Sequence, residues 1–352
     1  MNKKPPMASS AFQDLPHDVL QRVLAGILPD DQQATAACCK AFRAVIRGPR
    51  YQALREVHGF AQRGIVVVAS PTGVSQKPLR IQMAHKRGVL ASFSGDWQVD
   101  PRASTGSTTD GGTRLFVSSQ NPHQILAIDV YSRRWRRLTT PPLGQGAYCM
   151  EWCGGRLYVA GGYRQDPGYL NSLHAFDETT GLWEELPSMP HACMCQASGV
   201  IGNQLFIAGG CGSGAAHANR LQIYDTVART WRLGAPVPDS YYLTTSAVVL
   251  DGKFYLFCSP MPNYVAPMWV YDPQSNTWTE ETVPWPSVDF GSLERRVITA
   301  CTHNGRIIVF LNRGNAAHAR AADGSWSLYE LAHRLQSEAY WGSYVLGSVI
   351  IG

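Results

Sequence analysis

The sequence predicts a mostly β protein, a six-bladed β-propeller preceded by a small all-α module. Three observations carry this. Trp135, Trp183, Trp231, Trp278 and Trp326 recur at spacings of 48, 48, 47 and 48 residues. The first four each follow an Asp by six residues: Asp129, Asp177, Asp225 and Asp272. Ahead of this array, residues 12–59 carry apolar side chains at helical rather than strand period.

The Asp-to-Trp segments are "IDVYSRRW", "FDETTGLW", "YDTVARTW" and "YDPQSNTW". Turn-forming residues between two apolar runs predict a hairpin, with one strand ending near the Asp and the next beginning near the Trp. The fifth segment, "RAADGSW", has Arg320 at the Asp position. Upstream in each repeat lies another strand: "RLFVSS", "RLYVAGG", "QLFIAGG", "KFYLFCS" and "RIIVFLN". Four of these follow short turns, "CGG", "IGN", "LDG" and "HNG", whose Gly and Asn accept the positive φ of a two-residue hairpin. A further apolar run precedes those turns. Each repeat therefore has four strands, A to D, and a four-stranded repeat of this length is a propeller blade.

The strand ending in Gly-Gly, the Tyr-Asp turn and the phased Trp resemble kelch repeats, most closely in "QLFIAGGC…RLQIYDTVARTW". Ser118–Ser119, Cys258–Ser259 and Leu311–Asn312 stand where that pattern has Gly-Gly. "GIVVVAS" at Gly64 reads as a strand B without a strand A, and "GSYVLGSVIIG" at Gly342 as a strand A without a blade. Pairing them closes a sixth blade and leaves no open sheet edge. The propeller is thus expected over 60–352.

In residues 12–59, Pro16 suits a first helical turn. Val19, Leu20, Val23, Leu24 and Ile27 form one stripe, and Ala34, Cys38, Phe42, Val45 and Ile46 a second. Residues 1–11 are expected to be disordered. A bundle this short is near the lower limit for an independent core and gains by burying its apolar face against something else. The Leu-Pro start, "DVLQRVL", the Asp pair after Pro29, then Cys39, Lys40, Phe42, Arg43, Val45 and Ile46 resemble an F-box. Phe42 stands where that family usually has Trp. The order of the two modules resembles the plant kelch-type F-box proteins. That resemblance implies a non-catalytic substrate-recognition subunit of a Skp–cullin–F-box ubiquitin ligase. It also implies docking on a Skp-type adaptor and cullin scaffold through Leu15, Pro16, Val19, Leu20, Val23, Leu24, Lys40, Phe42 and Ile46, with a protein substrate on the propeller. The helices acting only as a cap, and a scaffold working outside a ligase, are the alternatives.

Composition bounds the rest. With 45% hydrophobic and 16% charged residues, the chain can build a core. A net charge of +5 over 352 residues is too dilute to predict nucleic-acid binding, and "SRRWRR" reads as a solvated hairpin. Nine Cys without a regular framework suit a reduced compartment, and no apolar run reaches membrane-span length. The cytoplasm or nucleus is the expected location.

Antiparallel strands put the A–B and C–D turns on one face and the B–C and D–A loops on the other. The second set is longer and more varied, and binding concentrates on such loops. Tyr163, Arg164, Tyr169, His217, Tyr241, Tyr242, Tyr264, Arg295, Arg296, Arg313 and His318 are the candidate substrate contacts, Tyr and Arg being frequent interface anchors. Catalysis has one weak candidate, "HACMC", where His191, Cys193 and Cys195 could serve a metal. Kelch rings also resemble that of galactose oxidase, a secreted copper enzyme. The competing reading packs both Cys as small apolar residues of one strand face. No metal, cofactor or catalytic residue is assigned.

Overall fold

Five repeats fold into five four-stranded antiparallel sheets. The computed structural model describes residues 24, 35, 42, 45–46, 63–69, 80–85, 88–94, 107–120, 123–130, 134–141, 146–166, 168–212, 219–238, 244–258, 268–281, 297–311, 317–321, 323–329 and 344–350. A first group of strands is β1 (Arg63–Ala69), β2 (Arg80–His85) and β3 (Gly88–Ser94). Blade 1 holds β4 (Ser107–Thr109), β5 (Arg114–Gln120), β6 (His123–Asp129) and β7 (Arg134–Leu138). Blade 2 holds β8 (Cys149–Cys153), β9 (Arg156–Ala160), β12 (Leu173–Asp177) and β13 (Leu182–Leu186). Between β9 and β12 it carries a separate hairpin of β10 (Tyr163–Arg164) and β11 (Gly168–Tyr169). Blade 3 holds β14 (Ala197–Ile201), β15 (Gln204–Ala208), β16 (Leu221–Asp225) and β17 (Thr230–Leu233). Blade 4 holds β18 (Thr244–Leu250), β19 (Lys253–Cys258), β20 (Met268–Asp272) and β21 (Thr277–Glu281). Blade 5 holds β22 (Val297–His303), β23 (Arg306–Leu311), β24 (Ala317–Arg320) and β25 (Trp326–Leu328). The strand β26 (Tyr344–Ile350) hydrogen-bonds β1 in a further four-stranded sheet, ordered β26-β1-β2-β3.

The first strands of successive blades lie side by side: β4 by β8, β8 by β14, β14 by β18 and β18 by β22. This is propeller packing, with strand A innermost. It explains why strand B is apolar at consecutive positions. In blade 3, Leu205 and Ile207 pack into the cluster shared with blade 2, while Phe206 and Ala208 pack into the one shared with blade 4. Side chains alternate across a sheet, and here both faces meet a neighbour, so every position must be apolar. The core is accordingly a set of layers between blades.

The turns obey the sequence logic. Asp251–Gly252 and Asn304–Gly305 all have positive φ, between 50° and 72°, as two-residue hairpins of this type require. In the C–D turns, the Asp carboxylate caps the backbone. Asp225 Oδ1 accepts from the Val227 and Ala228 amides, at 3.0 and 2.8 Å, and Asp177 and Asp272 do the same at Thr179 and Gln274. These amide bonds hold the three carboxyls below their usual range. In the degenerate fifth repeat, Asp323 caps Ser325 instead, at 2.9 Å. Arg320 turns to a bidentate bond with Glu281 of blade 4.

The phased Trp residues join blades. Trp183, Trp231 and Trp278 each donate their indole N–H to a carbonyl just beyond strand D of the preceding blade: Thr139 at 2.6 Å, Pro187 at 2.7 Å and Ala235 at 2.8 Å. Each also packs on the aromatic residue before its own Asp, as Tyr224 packs on Trp231 with centroids 4.9 Å apart.

The chain divides into two units, Gly64–Val349 and Met1–Arg63 with Ile350–Gly352. Within residues 12–59 the described residues are Leu24, Thr35, Phe42, Val45 and Ile46, and all five are helical. Leu24 (1% exposed) and Ile46 (5%) are buried together with Phe42 and Val45 packed against them. Leu15, Pro16, Val19, Leu20, Val23 and Lys40, and the expected disorder of residues 1–11, lie outside the described residues.

Trp231→Phe is expected to cost about 1 kcal/mol through the lost interblade hydrogen bond. Trp231→Ala is expected to cost about 2–3 kcal/mol, since it also removes the ring packed on Tyr224. The shift of the urea midpoint measures both.

Candidate functional site

The candidate site is the long-loop face at blades 2 and 3. Its base is set by the Gly pairs that end strand B. Gly161 and Gly162 have φ of 67° and 112°. A Cβ on Gly161 would lie 2.5 Å from the Cys193 carbonyl oxygen, and one on Gly162 2.8 Å from that of Gly146. Only Gly permits this approach. It lets the segment Cys193–Gln196 run directly over the end of blade 2. The Gly162 amide donates to Cys193 O (2.9 Å), Cys193 N to Leu170 O (3.1 Å) and Cys195 N to Ala147 O (2.8 Å). Met194 and Cys211 exchange both backbone bonds at 2.8 Å. The D–A loop is thereby sewn to its neighbours at four points, Gly162, Leu170, Ala147 and Cys211.

From this base rises the β10–β11 hairpin, where the sequence predicted plain loop. Tyr163 pairs with Tyr169, their rings edge to face with centroids 5.7 Å apart. Tyr163 is 39% exposed, and Arg164 beside it is exposed. Of the predicted substrate contacts, these three are brought together on one projecting element. His318 is corrected: it sits within β24, paired with Val309 and Leu328, because strand C begins earlier than the sequence suggested. His217, Tyr241, Tyr242, Tyr264, Arg295, Arg296 and Arg313 lie outside the described residues.

The "HACMC" segment does not have the geometry expected of one strand face. Cys193 is buried and Cys195 exposed, because Cys195 takes a positive φ of 54° and breaks the alternation. Burial pushes the Cys193 thiol up to about 12, so it is not a ready nucleophile. Gln222 holds this loop, accepting from His191 N at 2.9 Å and donating to His191 O at 3.2 Å. Among the described residues, no group of three His, Cys, Asp or Glu is placed to hold a metal ion.

Two features escaped the sequence reading. Glu151 lies on the innermost strand β8, where its carboxylate accepts from Ser198 Oγ at 2.7 Å and Thr108 Oγ1 at 3.3 Å. It bridges three blades. Burial outweighs those two bonds and pushes its carboxyl up to about 7. The second is a pocket of about 250 Å³ on the opposite, short-turn face, between blades 2 and 3. Arg156, Tyr158, Tyr224, Val227 and Arg229 line it. Arg156 and Arg229 both bind Glu184, the former at 2.7 Å. The available sequence signal was Arg229, which stands where the neighbouring turns have Gly181 and Asn276.

Fold and repeat together define a kelch β-propeller whose longer loops lie on one face. The chain belongs to the family of the KLHDC2/KLHL20/DRC7 kelch-repeats domain, which it matches over residues 108–311. It is 21% identical over 288 residues to a protein of Arabidopsis thaliana named for an F-box and kelch repeats, covering 80% of this chain and 63% of that one. It is 34% identical over 88 residues to kelch domain-containing protein 10 of Xenopus laevis, covering 23% of this chain and 21% of that one. The chain thus spans less than two thirds of the length of either relative. The solved structure of YjhT superposes with a TM-score of 0.51 at 14% identity, covering 64% of this chain and 82% of that one.

Glu151 binds its proton more tightly folded than unfolded, where its value is near 4.5. Its contribution is therefore fully present below about pH 4.5, falls as pH rises, and levels off above about pH 7. Because the residue is half-buried, the loss is at most about 3 kcal/mol. Glu151→Gln is expected to raise the urea midpoint at pH 8 and to change it little at pH 4, in parallel denaturation curves.

Proposed function

We propose that this chain is the substrate-recognition subunit of a Skp–cullin–F-box type ubiquitin ligase. In this reading, the N-terminal segment docks a Skp-type adaptor. The propeller, a ring closed at six blades by β26 beside β1, captures a protein substrate on its long-loop face. The chain does no chemistry: it raises the concentration of substrate near the charging enzyme, an effective-concentration effect. The observation that carries the reading is the domain order. A relative named for an F-box and kelch repeats aligns over 80% of this chain, and the F-box-like motif stands ahead of the repeats. The sheet order β26-β1-β2-β3 supports closure. The exposed Tyr163–Arg164 hairpin supports capture, since a rigid aromatic pair beside a guanidinium is a frequent interface anchor.

A pull-down of the full-length chain with a Skp-type adaptor and cullin tests the first half. Wild type is expected to bind and Leu20→Asp to lose at least tenfold in affinity, because a charge replaces an apolar anchor. Leu24→Asp is the folding control, as Leu24 is buried within the chain. A wild type that binds no adaptor overturns the ligase reading and leaves a propeller scaffold. The second half is tested by cross-linking in cells that contain the substrate. Tyr163→Ala with Arg164→Ala is expected to reduce captured protein several-fold and leave adaptor binding unchanged. Equal loss of both overturns the division of labour.

A further inference from the structure

We propose that the short-turn pocket between blades 2 and 3 binds one singly charged carboxylate, from a small organic acid or from an acidic side chain of a peptide. Three comparisons between sibling blades carry this. Tyr224 is fully buried, yet its hydroxyl proton has no acceptor, since the Arg229 guanidinium beside it can only donate. The same position in blade 4 is Tyr271, whose hydroxyl donates to Asn276 at 2.7 Å. In blade 2 it is Phe176, which needs no partner. The fold can therefore satisfy this hydroxyl or omit it, and blade 3 does neither.

Arg156 repeats the pattern. Its Nε is buried and without a partner. The matching Arg114 of blade 1 donates its Nε to Asp110 at 2.7 Å. Arg229 is the third departure. It holds a φ of 58° at a turn position that is Gly181, Asn276 and Gly324 in blades 2, 4 and 5, and Arg133 in blade 1, where the Tyr is replaced by Ile128. Left-handed backbone is disfavoured for a long side chain. Strain of this kind persists where the side chain is used.

The three converge on one chemistry. Two orphan donors, the Tyr224 hydroxyl and Arg156 Nε, match the two oxygens of a carboxylate. Two guanidiniums share the single Glu184 carboxylate, which leaves one net positive charge. A second negative charge on the ligand would sit against Glu184. Tyr158, Leu186 and Val227 supply apolar walls for the carbon stem. Arg229 is half-exposed, 51% for its side chain. It acts on the Tyr224 hydroxyl electrostatically without a hydrogen bond of good geometry. It is the movable cover, and the acid enters as it swings aside.

The site lies opposite the long-loop face, so its failure leaves the proposed function untouched. The test titrates the full-length chain by calorimetry with capped glutamate (N-acetyl, N-methylamide), capped glutamine, propionate and inorganic phosphate. Capped glutamate is expected to bind at least tenfold tighter than capped glutamine, and phosphate more weakly. Propionate matching glutamate assigns a free acid, and glutamate alone assigns a peptide side chain; both support the site. Tyr224→Phe is expected to weaken the carboxylate probe about tenfold while preserving or raising the urea midpoint. Arg229→Gly, which relieves the backbone, is expected to be equally stable and to weaken binding. Unchanged binding in Tyr224→Phe overturns the proposal. So does equal binding of capped glutamine, tighter binding of phosphate, or a Tyr224→Phe midpoint lowered as far as that of Trp231→Phe.

Discussion

The indole N–H of Trp183, Trp231 and Trp278, donated in each case to a carbonyl just past the preceding blade, is the contact on which the seams of blades 1 to 4 depend. A four-stranded sheet alone is marginal, because both of its faces are apolar and need covering. Stacking blades solves this only if adjacent sheets hold one angle and one register. The Trp supplies both. Its ring fills the layer between blades, and its N–H fixes how far one blade slides on the next, across 43 or 44 residues of chain. The near-constant period of the repeat follows from that requirement. Insertions are confined to segments that do not lie between the donor and its carbonyl in space.

Ion pairs on the short-turn face reinforce the same seams. Arg114 and Arg136 of blade 1 hold Glu178 of blade 2, Arg156 of blade 2 and Arg229 of blade 3 hold Glu184, and Arg320 of blade 5 holds Glu281 of blade 4. Most are partly exposed, so each contributes little to stability. They matter more as geometry, since a bidentate guanidinium fixes direction as well as distance. The fifth repeat shows one role exchanged for another. Arg320 replaces the turn-capping Asp, the cap moves to Asp323, and the freed position joins the seam.

Much of this was legible in the sequence because it is local. Turn caps, two-residue hairpins and the Trp period are set by residues within a few positions of one another, and their chemistry does not depend on the tertiary fold. What was not legible depends on distant pieces. The β10–β11 hairpin forms because Tyr163 and Tyr169 meet across a short loop and Gly146 accepts from the Tyr163 amide at 2.9 Å. Nothing in the sequence around Glu151 marks it, and only the approach of Thr108 and Ser198 from two other blades makes it a shared group. Cys193 and Cys195 were read as neighbours on one strand face, but a single positive φ separates them.

The two faces can vary only in different ways, and the backbone itself imposes the difference. On the long-loop face, variation comes as added residues, which the sheets tolerate because the strand ladders and the Trp contacts lie outside those loops. On the short-turn face, length cannot vary without moving the Asp cap or the Trp. Any binding function there must come from substitution in place. Arg229 and Tyr224 illustrate this. Both occupy positions present in every blade; each identity recurs once elsewhere, as Tyr271 and Arg133, and only blade 3 combines the two. A site of that kind adds no length and no motif. It becomes visible when each residue is compared with its counterparts around the ring, and the question asked is which donors their siblings have satisfied.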